Sequence, residues 1–300
     1  MKVLNSYDYF FELMYFWKDL KGKITDMMAY YVKFTEKSGR KVNMNKKERA
    51  KRWSDGEDYN RYIIEELNSF RKNAWKKQIT DHFNGKKGLH ILDVGTGPGF
   101  LACILAEEGH KVTAIDNSEG MLSHAKENAL SLGVSPEFLL MDVNILSFSD
   151  DTFDIIVTRN VTWTLEYPER VYEEFRRILK PQGMLLIYDA NWHLHFYDDE
   201  LMKKVRQREQ DYFEKYGRRE VVCEDDREYF DSAPLTKVFR PAWDIKILKE
   251  KMGMLLSVQE DIGQHLYEQW EKDLYGESPL FEICAVKQNK NLNMREGAVR

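Results

Sequence analysis

The chain has 300 residues, of which 43% are apolar, so it is long enough for one large domain or two modest ones with an ample core. Its net charge of −5 argues against a protein that wraps nucleic acid over a broad surface. The three cysteines, Cys103, Cys223 and Cys284, are far apart and form no CxxC pair. They favour reduced thiols in a cytoplasmic protein, with no disulfide framework and no metal site.

The N-terminal residues 1–54 are predicted to form a helical extension. Their apolar stretch YDYFFELMYFWKDL (7–20) is interrupted by charges, is too short to span a bilayer and lacks a cleavage site, so we predict no transmembrane helix and no signal peptide. An aromatic helix of this kind packs on the body of the protein or on a second copy, which makes a homodimer plausible. Association with a membrane surface is the alternative.

The segment KSGRKVNMNKKERAKR (37–52) carries eight basic residues against one acid. A solvated helix face or loop is the simplest interpretation, and a phosphate-contacting arm is the alternative. Residues 55–83 follow as one predicted amphipathic helix, because their apolar positions recur at intervals of three and four.

From residue 89 onward, short apolar runs alternate with helical patterns. This alternation predicts βαβ units and a parallel sheet that is covered on both faces. Two final strands without a full crossover between them predict an antiparallel edge. The expected fold is therefore α/β, a Rossmann-like, doubly wound, seven-stranded and mostly parallel sheet with an antiparallel last strand.

The sheet domain is predicted to comprise residues 55–195 and 240–288. The strand pattern lapses between these two parts, so residues 196–239 are expected to form a lid-like insertion after the fifth strand. The tail, residues 289–300, has few apolar residues and is expected to be disordered.

The first predicted strand ends in ILDVGTGPG, which brings three glycines close together at alternate positions. A dinucleotide fingerprint needs its third glycine at position 100, where Phe100 stands, and a P-loop needs Gly-Lys-Ser/Thr, which is absent. The pattern that fits is Asp93, Gly95, Gly97 and Gly99, followed by Asp116 at the end of the next strand. These residues suit a ligand with a ribose and a positive charge but no pyrophosphate.

Four segments in order, ILDVGTGPGFLA, VTAIDNSEGML, LLMDVNILSFSDDTFDIIVTRN and RILKPQGMLLIYD, resemble the class I S-adenosylmethionine-dependent methyltransferases. The resemblance covers residues 85–195 and 240–287, and it is nearest to the ubiquinone/menaquinone-type small-molecule group (methyltransferase type 11). It implies S-adenosylmethionine as cofactor, S-adenosylhomocysteine as product, and in-line methyl transfer to an oxygen, nitrogen, sulfur or carbon atom of a small molecule.

Carried over by position, the resemblance places Gly95 and Gly97 at the methionine end of the cofactor and Asp116 at the ribose hydroxyls. It places Asp142 at the adenine amino group and Asn160 near the methyl group. The full predicted cofactor-binding set is Asp93, Gly95, Thr96, Gly97, Gly99, Asp116, Asn117, Ser118, Met121, Asp142, Val143 and Asn160.

Acceptor-binding groups are expected at the ends of the fourth and fifth strands, on the same side of the sheet as the cofactor. The Asp-Pro-Pro-Tyr type of motif that relatives use for nucleobase amino groups is absent, which disfavours nucleic acid as substrate. Aromatic residues stand there instead, suited to a flat, apolar or cationic acceptor. The predicted substrate pocket comprises Tyr59, Tyr62, Trp163, Tyr188, Trp192 and Tyr197.

A general base is optional in methyl transfer, because alignment of the acceptor accounts for much of the rate. His193 and His195 are the base candidates by residue type and position, with Asp189 as a rival. Two alternatives stay open: an RNA or protein methyltransferase that uses segment 37–52, and a non-catalytic protein that binds S-adenosylmethionine.

Overall fold

A computed structural model describes residues 56–217 and 233–289, all of which belong to the compact unit of residues 44–300. The predictions for the N-terminal extension and its basic segment lie outside the described residues. So do those for the middle of the insertion and for all but the first residue of the tail. Within the described residues, no helix is both long and apolar enough to cross a membrane.

Seven strands form one sheet in the order β3-β2-β1-β4-β5-β7-β6, as predicted for a doubly wound α/β domain. The strands are β1 His90–Val94, β2 Lys111–Asp116, β3 Glu137–Leu140, β4 Phe153–Arg159, β5 Leu179–Asp189, β6 Leu255–Gln259 and β7 Phe281–Val286.

The last strand, β7, is antiparallel to both of its neighbours, which confirms the predicted orientation. The predicted antiparallel edge is confirmed as well, because β6 forms the edge of the sheet and pairs with β7 in antiparallel orientation.

The helices cover both faces of the sheet and frame its carboxyl end. They are α1 Glu57–Leu67, α2 Phe70–Thr80, α3 Phe100–Glu107, α4 Glu119–Ser131, α5 Pro168–Ile178, α6 Asp199–Tyr216, α7 Ala242–Lys246, α8 Gly263–Leu266 and α9 Gln269–Tyr275.

The single helix predicted over residues 55–83 is in fact two helices, α1 and α2. Ser69 interrupts them in an extended conformation, and its hydroxyl accepts a hydrogen bond from the Arg71 backbone N–H while donating to the Glu66 carbonyl. A serine side chain that forms hydrogen bonds with the adjacent backbone in this way is more favourable at the start of a helix than in its interior. The break turns α1 across the end of the sheet.

The core consists of two apolar clusters, one on each face of the sheet. The buried runs of the parallel strands contribute to both clusters, as expected for strands covered on two sides. At the carboxyl ends of β1, β2, β4 and β5, polar residues follow these runs, and the candidate site lies at that edge.

Candidate functional site

A cavity of about 780 Å³ opens at the carboxyl end of the sheet. Its walls include the ends of β1, β2 and β4, where the strand order reverses around β1. Ligands of open α/β sheets bind at such a reversal point. The volume is within the range of ligand and cofactor sites, roughly 300–1,000 Å³.

One end of the cavity is formed by the glycine turn after β1. Gly95 and Gly97 both line it with positive φ angles, 66° and 53°, a conformation that favours glycine. A Cβ atom on Gly95 would lie 2.4 Å from Cγ2 of Val161, and one on Gly97 would lie 3.4 Å from the Tyr59 ring. The turn therefore brings bare backbone to the cavity surface.

Asp116, at the end of β2, holds this turn in place and lines the cavity beside it. Its carboxylate accepts hydrogen bonds from the backbone N–H groups of Gly97, at 2.9 Å, and Ser118, at 3.0 Å. Burial raises the pKa of the Asp116 carboxyl, while these backbone donors oppose the shift. The carboxylate keeps acceptor capacity for hydroxyl groups, because each of its oxygens can accept more than one hydrogen bond.

Three residues predicted for the cofactor support the glycine turn from the side away from the large cavity and do not line it. They are Asp93, Thr96 and Gly99. Asp93 is buried and accepts a hydrogen bond from the Thr96 hydroxyl at 2.6 Å, and both residues border a small adjoining cavity. Burial raises the pKa of the Asp93 carboxyl to about 6. Gly99, with φ at 86°, begins helix α3 and lies against Ala125.

The neighbouring wall contains most of the remaining residues predicted for the cofactor: Asn117, Met121, Asp142, Val143 and Asn160. Ser118 lies outside the lining, since its hydroxyl caps helix α4 by accepting a hydrogen bond from the Met121 N–H. Asn160 adopts a left-handed conformation, with φ at 58°. Its Oδ1 atom is buried with no hydrogen-bond partner among the described residues.

Helix α1 forms a further wall of the cavity, of which the sequence predicted only Tyr59 and Tyr62. Tyr59 and Tyr62 line the cavity as predicted. Glu66, one turn further on, makes a bidentate ion pair with Arg159 at the end of β4, with N–O distances of 2.8 and 3.0 Å. This pair is nearly fully buried and fastens α1 across the end of the sheet.

Arg159 is a cavity residue that the sequence analysis missed. Its guanidinium lies 5.0 Å from the ring centre of Trp75 and 4.4 Å from that of Phe100, so it is in range of cation–π contact with both. Burial lowers the pKa of the guanidinium, but Glu66, Tyr59 and Tyr62 together raise the pKa above its ordinary value. The sequence feature that could have identified Arg159 is its position, as a charged residue at the end of the apolar run FDIIVTR.

Another part of the cavity wall is lined with aromatic rings. Trp163 and Trp192 lie there as predicted, together with Tyr267 and Tyr275, which the sequence analysis did not consider. The rings of Trp192 and Tyr275 meet edge to face at 5.4 Å. Tyr267 and Tyr275 come from the segment between β6 and β7, whose position over the cavity has no local sequence signal.

Two residues predicted for the substrate pocket do not line the cavity. Tyr188 is buried on the far side of Trp75, whose ring it meets edge to face at 5.1 Å. Tyr197 lies further along the insertion, where Lys237 approaches its ring at 5.3 Å.

Of the three base candidates, only His193 lines the cavity, with its imidazole 4.6 Å from the ring of Trp163. His195 is buried outside the lining, and burial lowers the pKa of its imidazole to about 4. Asp189 is fully buried and also outside the lining. The described residues include no group of His, Cys, Asp and Glu side chains suited to a metal ion.

Asp189 is committed to a buried ion network. One of its carboxylate oxygens accepts hydrogen bonds from the Arg240 guanidinium at 2.8 Å and the Trp163 backbone N–H at 3.0 Å; the other accepts the Trp192 indole N–H at 3.0 Å. Arg240 also pairs with Asp244. A carboxylate with these partners positions the two cavity tryptophans, and we assign it no proton transfer.

The sequence of this chain is similar to those of known methyltransferases. Residues 85–270 match the family described as "Methyltransferase domain". A ubiquinone biosynthesis O-methyltransferase of Coxiella burnetii is 31% identical over 131 residues, which are 44% of this chain and 54% of that protein. Phosphoethanolamine N-methyltransferase 3 of Arabidopsis thaliana is 35% identical over 38% of this chain and 23% of its own length. The chain thus spans about half the length of the ubiquinone enzymes it matches.

Solved structures show the same fold at lower identity. The plantazolicin methyltransferase BpumL, solved in complex with SAH, covers 80% of this chain and 94% of its own, with 16% identity and a TM-score of 0.52. A candidate S-adenosylmethionine-dependent methyltransferase of Methanococcus maripaludis covers 85% of this chain and 100% of its own, with 18% identity and a TM-score of 0.51. These likenesses concern the fold alone.

Proposed function

Because the chain belongs to the methyltransferase-domain family, we propose that it transfers a methyl group from S-adenosylmethionine to a small-molecule acceptor. The observation that carries this proposal is the junction of the glycine turn with Asp116. Bare backbone at Gly95 and Gly97 and a carboxylate at the end of β2 lie side by side in the cavity wall. Such a pair suits a ribose-bearing ligand that approaches closely.

The residues present fit this cofactor. The Gly95 turn has no room for a side chain, and the buried Oδ1 of Asn160 is ready to accept a hydrogen bond. Asp116 would hold the ribose hydroxyls, while Asp142 and Val143 would hold the adenine. The carboxylate of Asp93 would favour the cationic end of the ligand from beneath the turn.

S-Adenosylmethionine supplies an activated methyl group, so the protein's own task is alignment. The α1 wall, with Tyr59 and Tyr62, and the loop after β4, with Asn160 and Trp163, enclose the space between cofactor and acceptor. Enclosure excludes water and fixes the approach of the acceptor, and such orientation accounts for about 7–11 kcal/mol of the barrier in favourable cases. We propose His193, the base candidate that lines the cavity, as the group that receives a proton from an acceptor in this space.

A small-molecule acceptor is supported by the concave, ring-lined form of the cavity and by the names of the relatives, which act in ubiquinone biosynthesis or on phosphoethanolamine. The RNA or protein alternative depends on the basic segment 37–52, outside the described residues. We further propose a cytoplasmic location, supported by Cys103 and Cys284, which are buried as free thiols. The homodimer stays a prediction.

Calorimetry of the purified protein with S-adenosylhomocysteine and, separately, with NADH tests the cofactor assignment. We expect S-adenosylhomocysteine alone to bind. Asp116→Ala should weaken binding about 10- to 100-fold, since charged hydrogen bonds contribute roughly 1.5–3 kcal/mol each. Asp81→Ala is the matched control, because Asp81 is exposed and pairs only with Lys77 in its own helical turn.

Methyl transfer is then followed with methyl-labelled S-adenosylmethionine and a fractionated cell extract. Label should enter a small-molecule fraction with the wild type and be reduced with Asp116→Ala. Exclusive binding of NADH would contradict the proposal, and so would labelling that appears only in RNA or protein.

A further inference from the structure

The aromatic end of the cavity is a chamber built from distant parts of the chain. Its rings come from α1, from α2, from the loops after β4 and β5, and from the segment between β6 and β7; they are Tyr62, Trp75, Trp163, Trp192, Tyr267 and Tyr275. Rings present flat apolar surfaces and favour other planar groups in offset or edge-to-face contact. We call this end the ring chamber.

The fixed charges next to the ring chamber are paired with each other. Glu66 and Arg159 both line the cavity, and each oxygen of Glu66 accepts a hydrogen bond from a different nitrogen of Arg159. The rings of Trp75 and Phe100 also lie within cation–π distance of the Arg159 guanidinium. Because each of them already has a counter-ion, neither Glu66 nor Arg159 is available to neutralise a charge on a ligand.

A second ion pair lies directly behind Tyr62. Arg71 and Glu271 are both buried and meet at 2.8 Å. The Tyr62 hydroxyl donates to Glu271 at 2.7 Å and accepts from Arg71 at 2.9 Å. The hydroxyl of Tyr62 is thus hydrogen-bonded to this ion pair, and the carbon surface of its ring faces the cavity.

The described lining contains three further acids. Asp116 and Asp142 belong to the predicted cofactor set, and Glu166, half-buried in the loop after the 3₁₀ turn 162–164, has an interaction partner within the protein. A charge taken into the chamber would lose its hydration without gaining a fixed partner, and that loss costs several kcal/mol. One ring face returns about 0.5–1 kcal/mol to an exposed cation and about 2 kcal/mol or more to a desolvated one, which offsets only part of this loss.

We propose that the ring chamber selects an uncharged, planar aromatic acceptor that carries a hydroxyl or amino group. The proposal rests on the proposed function and names its substrate class. A lone pair of the acceptor's oxygen or nitrogen forms the new bond to the methyl carbon, and the methyl–sulfur bond breaks with its electron pair remaining on sulfur. The proton of the acceptor is released through the neighbouring side chains or water to solvent.

Three probes of similar shape test the charge preference: 4-methylphenol, 4-hydroxybenzoate and tyramine, which are respectively uncharged, anionic and cationic at pH 7. Each is titrated into protein saturated with S-adenosylhomocysteine, with ligand-observed NMR and calorimetry as readouts. We expect 4-methylphenol to bind at least about tenfold more tightly than either charged probe, a difference of about 1.4 kcal/mol.

Two substitutions reverse the preference in opposite directions. Glu66→Gln leaves Arg159 without its counter-ion and should shift selectivity about tenfold or more toward 4-hydroxybenzoate. Arg159→Gln leaves Glu66 unpaired and should shift it by a similar factor toward tyramine. Glu107→Gln is the matched control, since Glu107 pairs with Lys72 and Lys76 on the outer surface and should leave the preference unchanged.

The wild-type titrations decide the proposal by themselves, even where a substituted protein does not fold. Equal or tighter binding of a charged probe overturns it, and so does failure of all three probes to bind. Failure of S-adenosylhomocysteine to bind in the first step would instead contradict the proposed function. The two ideas therefore fail on different measurements.

Discussion

The two ends of the cavity differ in how far apart in the chain their parts lie. At the glycine end, the turn after β1 and the aspartate that supports it fall between Gly95 and Asp116, and the Gly97 backbone N–H donates a hydrogen bond to the Asp116 carboxylate. Toward the aromatic end, Glu66 pairs with Arg159, which also borders the small cavity beside the glycine turn, and Arg240 pairs with Asp189. Each of these two pairs joins residues that are more than fifty positions apart.

This difference has an energetic consequence. The glycine end depends on backbone conformation, which a short motif specifies by itself. The aromatic end depends on buried ion pairs, and removal of one partner leaves an uncompensated charge in the core. We therefore expect substitutions at the aromatic end to act mainly on stability and acceptor selection, and those at the glycine end mainly on cofactor affinity.

The largest effect is expected from Arg240→Met. The substitution leaves Asp189 and Asp244 buried without a cation and should lower the free energy of unfolding by about 3–5 kcal/mol. Urea denaturation followed by tryptophan fluorescence measures it. Lys251→Met removes an exposed pair with Glu169 and should cost at most about 1 kcal/mol. A loss below 1 kcal/mol for Arg240→Met would remove the energetic contrast between the two ends.

A smaller effect is expected from Gly97→Ala, which tests the glycine end. Alanine in the left-handed conformation costs roughly 1–2 kcal/mol, and the free protein can relieve this strain by opening the turn. Binding must then impose it again, so affinity for S-adenosylhomocysteine should fall about 5- to 30-fold in calorimetry.

The matched control for that change is Gly109→Ala. Gly109 also has a positive φ, 81°, but no atom lies within 4 Å of its added Cβ. Both variants should lose similar stability, and only Gly97→Ala should lose cofactor affinity. Equal affinities would show that the glycine turn does not contact the ligand.

The smallest effect is expected from pH, through Asp93. Because burial raises the pKa of this carboxyl to about 6, the folded protein binds its proton more tightly than the unfolded chain does. Its contribution to stability therefore favours the folded state at low pH and is lost as pH rises through 6. Cofactor affinity should follow the opposite course, since only the ionised carboxylate attracts a cationic ligand group.

Calorimetry with S-adenosylhomocysteine should thus show affinity about five- to tenfold weaker at pH 5 than at pH 7.5, as expected one unit below a controlling pKa. Asp93→Asn should flatten this dependence. A dependence that persists unchanged in Asp93→Asn would assign the effect to another group, such as Asp116.

The predicted elements of the sheet match the structure closely, because each strand is a short apolar run bounded by helical patterns and turns. The error in the helices arose where a side chain decided the outcome. Ser69 divides α1 from α2 through its own hydrogen bonds. Periodicity within one segment contains no information about such a break.

In the candidate site, too, the residues fixed by local sequence were predicted, and those fixed by long-range packing were not. A local motif placed Gly95, Gly97 and Asp116 in the cavity wall, since a strand end and the turn after it are fixed by adjacent residues. Proximity in sequence failed for Tyr188, which is buried against Trp75, and for His195, which is buried in the 3₁₀ turn 194–197. Tyr267 was missed because only the packing of α8 and α9 brings it to the cavity.

The sequence by itself determined the α/β class, the order of the first strands and the glycine turn, since these follow from hydrophobic periodicity and from the conformational freedom of glycine. The tertiary structure decided the aromatic end: which rings face the cavity, which carboxylates are engaged by arginine, and which histidine is accessible. Those properties depend on contacts such as Glu66 with Arg159 and Asp189 with Arg240. The pairing of charges across the fold is a long-range outcome that no local pattern encodes.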